Sequence, residues 1–551
     1  MVGKKQLHAE WLPHLSSEIV ADARGPELDA YVVALEGWRR GLTLRWHTKD
    51  SEKFKEMKTW FVDKPGKLFS LSSSEKTHYF FRTRGDKVTN DAVEMGADKE
   101  KTKQKLREAN IPTPEGKQFN EDVSNEEIVA HAKEHGFPVV IKPTDGSFGR
   151  GVITNITTEE ELTYQLEYVR GNLGYKSIIL EQYIPGEEYR IYVVGRKAVA
   201  AMNRVPANVV GDGESSVRTL IVTKNKEKEL NPRLISCPIK VDQAMLDFIW
   251  AKGYTLESVL EEGEQLYLTE ISNISTGGDP VSVTGELPEE VVDTAIRALH
   301  TIPGLEHGAV DLIIDARKPI EEAATVLELN PTAQIGGLLF PEKGKANDVP
   351  AAIIDYYFPE TQDNTPDPNQ TSLYFDFTDV LYPLLTRSAK VTTVTPYPLG
   401  KLYAKKYTVT GDVQDIGFHR GLRKQSFERY LNGLVLNLSN GDIDVVVAGT
   451  DPEMIEDFKN ALWEDPERSE VHEVHVKSWN GPIKIGFEIK ADLKTQVENL
   501  KQLKQELEVT ELELKKAEQE HKRYYKSLSW QVTSPIRLAG LLFKKMKREN
   551  Q

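Results

Sequence analysis

The sequence predicts a multidomain protein of mixed α/β and α+β class, and three observations carry that reading. β-branched runs such as "VVIKP", "IILEQ" and "IYVV" alternate with helical periods through residues 96–358. A polar break with three prolines, "PETQDNTPDPNQTS", follows at 359–372, and a second alternation in β-α-β-β-α-β order lies beyond it. Residues 490–526 contain no Gly or Pro and read as one long helix.

Composition narrows the class. A chain of 551 residues has room for two to four domains, and 39% apolar with 28% charged residues is ordinary for a soluble protein. A net charge of −15 argues against a generic nucleic-acid binder. The single cysteine, Cys237, excludes an internal disulfide framework and suits a reducing compartment. No secretory signal and no apolar run of membrane-spanning length is present, so the expected location is cytoplasmic.

In order, residues 1–95 mix short apolar runs with charge and read as a small α/β region, and 96–358 carry most of the chemistry. Residues 359–400 read as a linker with connecting strands. In 401–487, "KKYTVTGDV" reads as a strand, "RGLRKQSFERYL" as a helix and "GLVLNLSNGDIDVVVAG" as a hairpin around Asn440-Gly441. In 490–526, Leu493, Leu500, Leu507 and Leu514 fall seven apart, but the alternate seam positions are mostly polar. A weak coiled coil that pairs two chains and an isolated solvated helix both fit. Residues 527–551 form a basic amphipathic tail.

The stretch "VVIKPTDGSFGRGV" is the first chemical signal. A Walker A loop places its lysine after the glycines, whereas Lys142 precedes them, which excludes a P-loop. A lysine at a strand end, followed by Gly146, Ser147, Gly149 and Gly151, can instead meet phosphates with its ammonium and the loop's N–H groups. A solvated surface hairpin shows the same pattern. "IILEQYIPGEEYRIYVV" adds Glu181 at a strand end and Glu188 before the next strand, and "GAVDLII" and "VLELNP" place Asp311, Glu328 and Asn330 in strand-like runs. Acids facing a core need a reason. Two carboxylates and an amide oxygen are hard ligands suited to Mg²⁺ held together with phosphates.

With these segments in order, residues 96–358 resemble an ATP-grasp ligase domain of the cyanophycin synthetase and glutathione synthetase type. "ADKEKTKQKLREANIPTPEG", "RVPANVVGDGESSVRTLI" and "SNISTGGDPVSVT" complete the similarity. The resemblance implies ATP and Mg²⁺, with Mn²⁺ as an alternative, and a reaction joining a carboxylate to an amine through an acyl phosphate. It implies that Lys99 and Lys142 contact phosphates, that Glu181 and Glu188 contact adenine and ribose, and that Asp311, Glu328 and Asn330 hold the metal. Arg190, Arg204 and the Ser275–Gly278 loop are candidates for the acyl-phosphate or acceptor pocket. Related ligases often carry arginine two residues before the first metal aspartate, where this chain has Ala309.

"YTVTGDVQDIGFHRGLRKQS" with the following hairpin resembles an acylphosphatase domain, a ferredoxin-like βαββαβ fold. The family's loop, G-x-V-Q-G-V-G-F-R, ends in a phosphate-binding arginine. Here that position is His419, followed by Arg420, and Asp415 replaces a loop glycine, while Asn437 matches the water-orienting asparagine. The tail "SLSWQVTSPIRLAGLLFKKMKR" is similar to tails following coiled coils in some bacterial surface-polysaccharide glycosyltransferases. It can lie peripherally on the inner membrane face or bind a partner. Three functions follow as expectations: a carboxylate–amine ligase, with an envelope polymer or precursor as one substrate; an acylphosphate hydrolase; and a non-catalytic assembly protein.

Overall fold

A computed structural model describes residues 9–144, 151–364, 371–414, 416–463 and 470–490, together with Lys504, Leu507, Thr510 and Leu514. Two compact units emerge. The first holds residues up to 404 with 448–452 and 479–485; the second holds 405–447, 453–478 and the residues from 486 on.

The first unit begins with helix α1 (Leu28–Arg39), every residue of which is buried, and strands β1 (Thr43–His47), β2 (Leu68–Ser72), β3 (Thr77–Phe81) and β4 (Arg84–Gly85). These form an antiparallel sheet whose fifth strand, Val391–Thr393, pairs with β1. The expected linker at 359–400 is therefore corrected. Thr361 is buried in a 3-10 turn, Phe375 and Phe377 pack on Tyr31 of α1, and Trp38 Nε1 donates to Thr395 O at 2.7 Å. The prolines do mark a break, but the apolar residues beyond it (Leu373, Phe375, Phe377, Leu381 and Leu384) are buried where solvated linker residues would be exposed.

Helices α2 (Asn90–Ala97) and α3 (Lys99–Glu108) lead into a second sheet. It comprises β5 (Gly116–Phe119), β6 (Val139–Pro143), β7 (Ile153–Ile156) and β8 (Ile178–Gln182) in the order β5-β8-β6-β7, backed by α4 (Asn125–His135) and α5 (Glu159–Leu166). Ser124 and Glu127 close a capping box at the start of α4, each side chain satisfying the other residue's N–H. Val139, Ile141, Ile178 and Leu180 join the core beneath the helices. Strand side chains alternate, so Lys142 and Glu181 point to the opposite face. A one-residue slip would drive both into that core, which fixes the register.

The third sheet is β9 (Glu187–Val194), β10 (Lys197–Val205), β11 (Asp279–Ser282), β12 (His307–Ile314) and β13 (Ala324–Asn330), in the antiparallel order β11-β10-β9-β12-β13. Ile191, Val193, Val310, Leu312, Val326 and Leu329 pack with helix α6 (Glu289–Leu299) on one face. Arg190 and Asp311 fall on the other by the same alternation, and Glu328 joins them because a bulge skips Leu327 and shifts the register between Val326 and Glu328.

The second unit has strands β14 (Tyr403–Asp412), β15 (Asn432–Asn437), β16 (Ile443–Gly449), β17 (Glu470–Ser478) and β18 (Phe487–Lys490), in the order β17-β14-β16-β15-β18. Helices α7 (Ile416–Glu428) and α8 (Pro452–Ala461) complete βαββαβ connectivity, with Phe418, Leu422, Ile455 and Phe458 in the core. The hairpin turn falls at Asn440-Gly441, where Gly441 has φ +97°. The unit starts at residue 405 rather than 401, and β18 extends it past 487. Beyond Lys490, which ends β18, only four residues of the leucine-seam segment are described, all helical, and Leu507 and Leu514 are exposed. The rest of 490–526 and the tail lie outside the described residues. Among those described, no helix is long and apolar enough to cross a membrane.

Candidate active site

Two lysines converge on one carboxylate. Lys103 Nζ donates to Glu181 Oε1 at 2.5 Å and Lys142 Nζ to Oε2 at 2.8 Å, with Glu181 only 2% exposed. Glu181 reaches them because β8 sets Glu181 opposite Val140 and Ile179 opposite Lys142, leaving Glu181 and Lys142 as diagonal neighbours on one face. Burial alone would raise the Glu181 carboxyl, but the two ammonium groups hold it below its ordinary value. Burial likewise acts against charge on Lys142, yet Glu181, with Glu328 and Glu188 further off, lifts it. Lys103 goes the other way, burial outweighing Glu181.

Lys103 is the residue that sequence reasoning missed. Lys99, expected as the first phosphate-contacting lysine, starts α3 and lines a cavity of about 280 Å³ with Trp60, Thr102, Glu328 and Asn330. Lys103 sits four residues further on, one turn along the helix and 3% exposed. The signal was present in "KEKTKQKL": Lys103 lies three residues before buried Leu106, on the inward face of α3.

On the large sheet, in-register pairing aligns Arg190, Asp311 and Glu328 in one row across β9, β12 and β13. Arg190 grips Asp311 with two bonds of 2.7 Å, and Arg204 Nη1 bridges Asp311 at 3.0 Å and Glu188 at 2.5 Å. Burial works to raise Asp311, but the two guanidinium groups pull it down to about 2. Glu328 is raised, first by burial and then by Asp311 beside it. Glu188 is pushed up to about 7 by burial, with Arg204 opposing and Asp311 and Glu328 adding to the rise. Glu188 thus stands in the same charge cluster as the expected metal residues. Asn330 Oδ1 accepts from Thr332 N at 3.2 Å and keeps a second lone pair. Two crowded carboxyl groups and an amide oxygen suit a hard divalent cation, so the donor set fits Mg²⁺.

Ala309 is fully buried and pairs with Asn330, while Arg190 on the adjacent strand β9 and Arg204 on β10 beyond it bring cations to Asp311. The Ser275–Gly278 loop directs its N–H groups inward: Ser275 N bonds Asn273 Oδ1, Thr276 N and Gly278 N bond Asn273 O, and Gly277 N bonds Ile274 O. It therefore offers side chains rather than an amide cradle. Ser275 Oγ accepts from Arg233 at 3.4 Å, and Arg233 also donates to Gln334 at 2.7 Å, four residues beyond Asn330. Gly151 has φ +75°, and a Cβ there would lie 2.8 Å from Pro143, so the loop's return beside β6 requires glycine. Gly146, Ser147 and Gly149 lie outside the described residues.

In the second unit, Gln414 Nε2 donates to Leu438 O at 2.7 Å and Asp442 O at 2.8 Å, tying the loop to the hairpin that follows Asn437. Asn437 Oδ1 is buried with no hydrogen-bond partner among the described residues. His419 is 2% exposed, whereas Arg420 is exposed on α7. Asp415 lies outside the described residues.

Residues 96–249 match the RimK-like ATP-grasp domain and residues 405–489 match acylphosphatase. The chain is 32% identical over 272 residues to the cyanophycin synthetase of Geminocystis herdmanii, covering 49% of this chain and 31% of that protein. It is 30% identical over 342 residues to the glutathione biosynthesis bifunctional protein GshAB of Clostridium perfringens, covering 60% and 41% respectively. Among solved structures, a bifunctional glutathione synthetase from Pasteurella multocida aligns at a TM-score of 0.41 and 28% identity, over 53% of this chain and 41% of that one. The chain spans about a third of the length of the cyanophycin synthetases it matches. The strand-borne lysine and carboxylate sites of the first unit and the βαββαβ second unit thus belong to a chain that carries a RimK-like ATP-grasp domain followed by an acylphosphatase domain.

Proposed function

We propose that this chain is an ATP- and Mg²⁺-dependent ligase that joins a carboxylate to an amine through an acyl phosphate. The observation that carries the proposal is the pair of charge arrays, Lys103 and Lys142 on Glu181 and the row Arg190–Asp311–Glu328, with Glu328 close enough to act electrostatically on Lys142. Lys103 and Lys142 bind the nucleotide phosphates, which frees Glu181 to accept from the adenine amino group. Asp311, Glu328 and Asn330 hold Mg²⁺, which when bound neutralises charge on the phosphates. A substrate carboxylate oxygen attacks the γ-phosphorus as the bond to ADP breaks. The amine then attacks the acyl carbon, phosphate leaves with the C–O electron pair, and the nitrogen loses a proton. Arg190 and Arg204 supply the cationic charge that Ala309 does not, stabilising the transferring group.

The test is ADP formation by the purified chain with Mg-ATP and pools of carboxylates and amines. ADP release that requires both pools and disappears in Lys142→Ala supports the ligase. Failure of the chain to bind ATP refutes it. The basic tail motivates an envelope polymer or its precursor as substrate, with the chain peripheral to an anionic membrane surface, and sedimentation with anionic vesicles tests that part. The leucine seam motivates a homodimer, to be tested by sedimentation velocity.

A second reading, hydrolysis of acyl phosphates by the C-terminal unit, is favoured by the buried, unsatisfied Asn437 Oδ1. Benzoyl phosphate turnover that is lost in Asn437→Ala would establish it.

A further inference from the structure

Helix α4 carries a cluster that the ligase reading does not use. His131, Glu134 and His135 stand at positions i, i+3 and i+4, which share one face of a helix. One ligand atom from each lies within 4.8 Å of the others, with His131 half-buried and the other two exposed. We propose that these three side chains form a binding site for a transition-metal ion of the zinc class, separate from the Mg²⁺ residues of the large sheet.

The geometry of the site favours a metal. His135 Nδ1 lies 2.9 Å from the carbonyl oxygen of His131, so Nδ1 carries the proton and Nε2 presents its lone pair outward. His131 packs edge-on against Phe119 of β5, with ring centroids 5.2 Å apart, which fixes its ring. The cluster lies at the C-terminal end of α4, where the helix dipole favours a cation near His135 and Glu134 adds a negative charge. Two imidazoles and one carboxylate make a borderline donor set that suits Zn²⁺ and leaves a position for water. Two histidines four apart with a glutamate between them, H-x-x-E-H, is also a spacing used by zinc enzymes. The proposal here is binding alone.

The test uses the full chain with Mg²⁺ and a non-hydrolysable ATP analogue in excess, so that the oxygen-ligand residues are occupied. Zn²⁺ is titrated against a chromophoric chelator for wild type, His131→Ala, Glu134→Gln and His135→Ala. The expected result is one zinc per chain, weakened about tenfold or more by either histidine change and less by Glu134→Gln. His135 is exposed, so its variant should fold, and circular dichroism checks that it does. A second readout is residue-resolved: Zn²⁺ should protect His131 and His135 from diethyl pyrocarbonate, as followed by mass spectrometry. Zinc affinity unchanged in both histidine variants, or equal modification with and without zinc, overturns the proposal.

Discussion

Replacing Lys103 with methionine keeps the apolar stem and removes only the ammonium. In the wild type that ammonium sits 2.5 Å from Glu181, with the two side chains 3% and 2% exposed. Removing one partner of a buried ion pair costs about 3–5 kcal/mol. Lys142 still compensates Glu181 from 2.8 Å, so the expected loss of stability is roughly 2–3 kcal/mol. Loss of a charge-assisted bond to phosphate, worth about 1.5–3 kcal/mol, should weaken ATP binding about ten- to a hundredfold. Lys99→Met is the matched comparison, because Lys99 is a half-buried side chain near Glu328. Its stability change should stay within about 0.5 kcal/mol, and its effect on ATP should be below tenfold. Urea unfolding gives the first quantity and fluorescent-nucleotide displacement the second. If Lys99→Met weakens ATP binding more than Lys103→Met does, the assignment of Lys103 to the phosphates is wrong.

Other consequences can be measured directly. Restoring a guanidinium with His419→Arg should raise benzoyl phosphate hydrolysis, on the order of a hundredfold; no change would show that the loop around it is also unsuited. Gly411 has φ +130°, and a Cβ there would fall 1.9 Å from Glu470 O, so Gly411→Ala should destabilise the second unit by about 2–3 kcal/mol in thermal unfolding. Burial and then Arg45 push His47 down to about 4, while burial, Arg84 and Lys87 push His307 down to about 3. The unfolded chain binds these protons first, near pH 6.5, so stability falls as pH drops from about 6.5 toward 4 and 3. The losses are of the order of 3 and 5 kcal/mol, and a urea midpoint that stays flat across that window would contradict this.

Much of the placement of the candidate residues was legible because strand alternation and register leave marks in sequence. The runs around Lys142, Glu181, Asp311 and Glu328 are strands, and each acid or lysine interrupts an apolar period where the opposite face is core. Lys103 was harder to read because α3 offers four lysines within its ten residues, and only the spacing to Leu106 singles it out as the inward one. Arg190 as partner of Asp311 depends on cross-strand register, which links residues 121 apart in the chain. Residues 359–400 misled for a related reason: proline and polar residues mark a break in local structure, but not whether the chain beyond it returns to an earlier sheet.

The carboxylate between Lys103 and Lys142 has a kinetic consequence. Glu181 is an internal counter-ion, so the two lysines present far less positive field to solution than two bare ammonium groups would. In a chain of net charge −15, long-range attraction then does little to gather a polyanionic nucleotide. On the proposed reading of these lysines as phosphate contacts, capture is a local exchange in which phosphate oxygens replace carboxylate oxygens on the same two nitrogens. Association should therefore be slow compared with steered binding and nearly indifferent to ionic strength, its rate set by how fast Glu181 lets go.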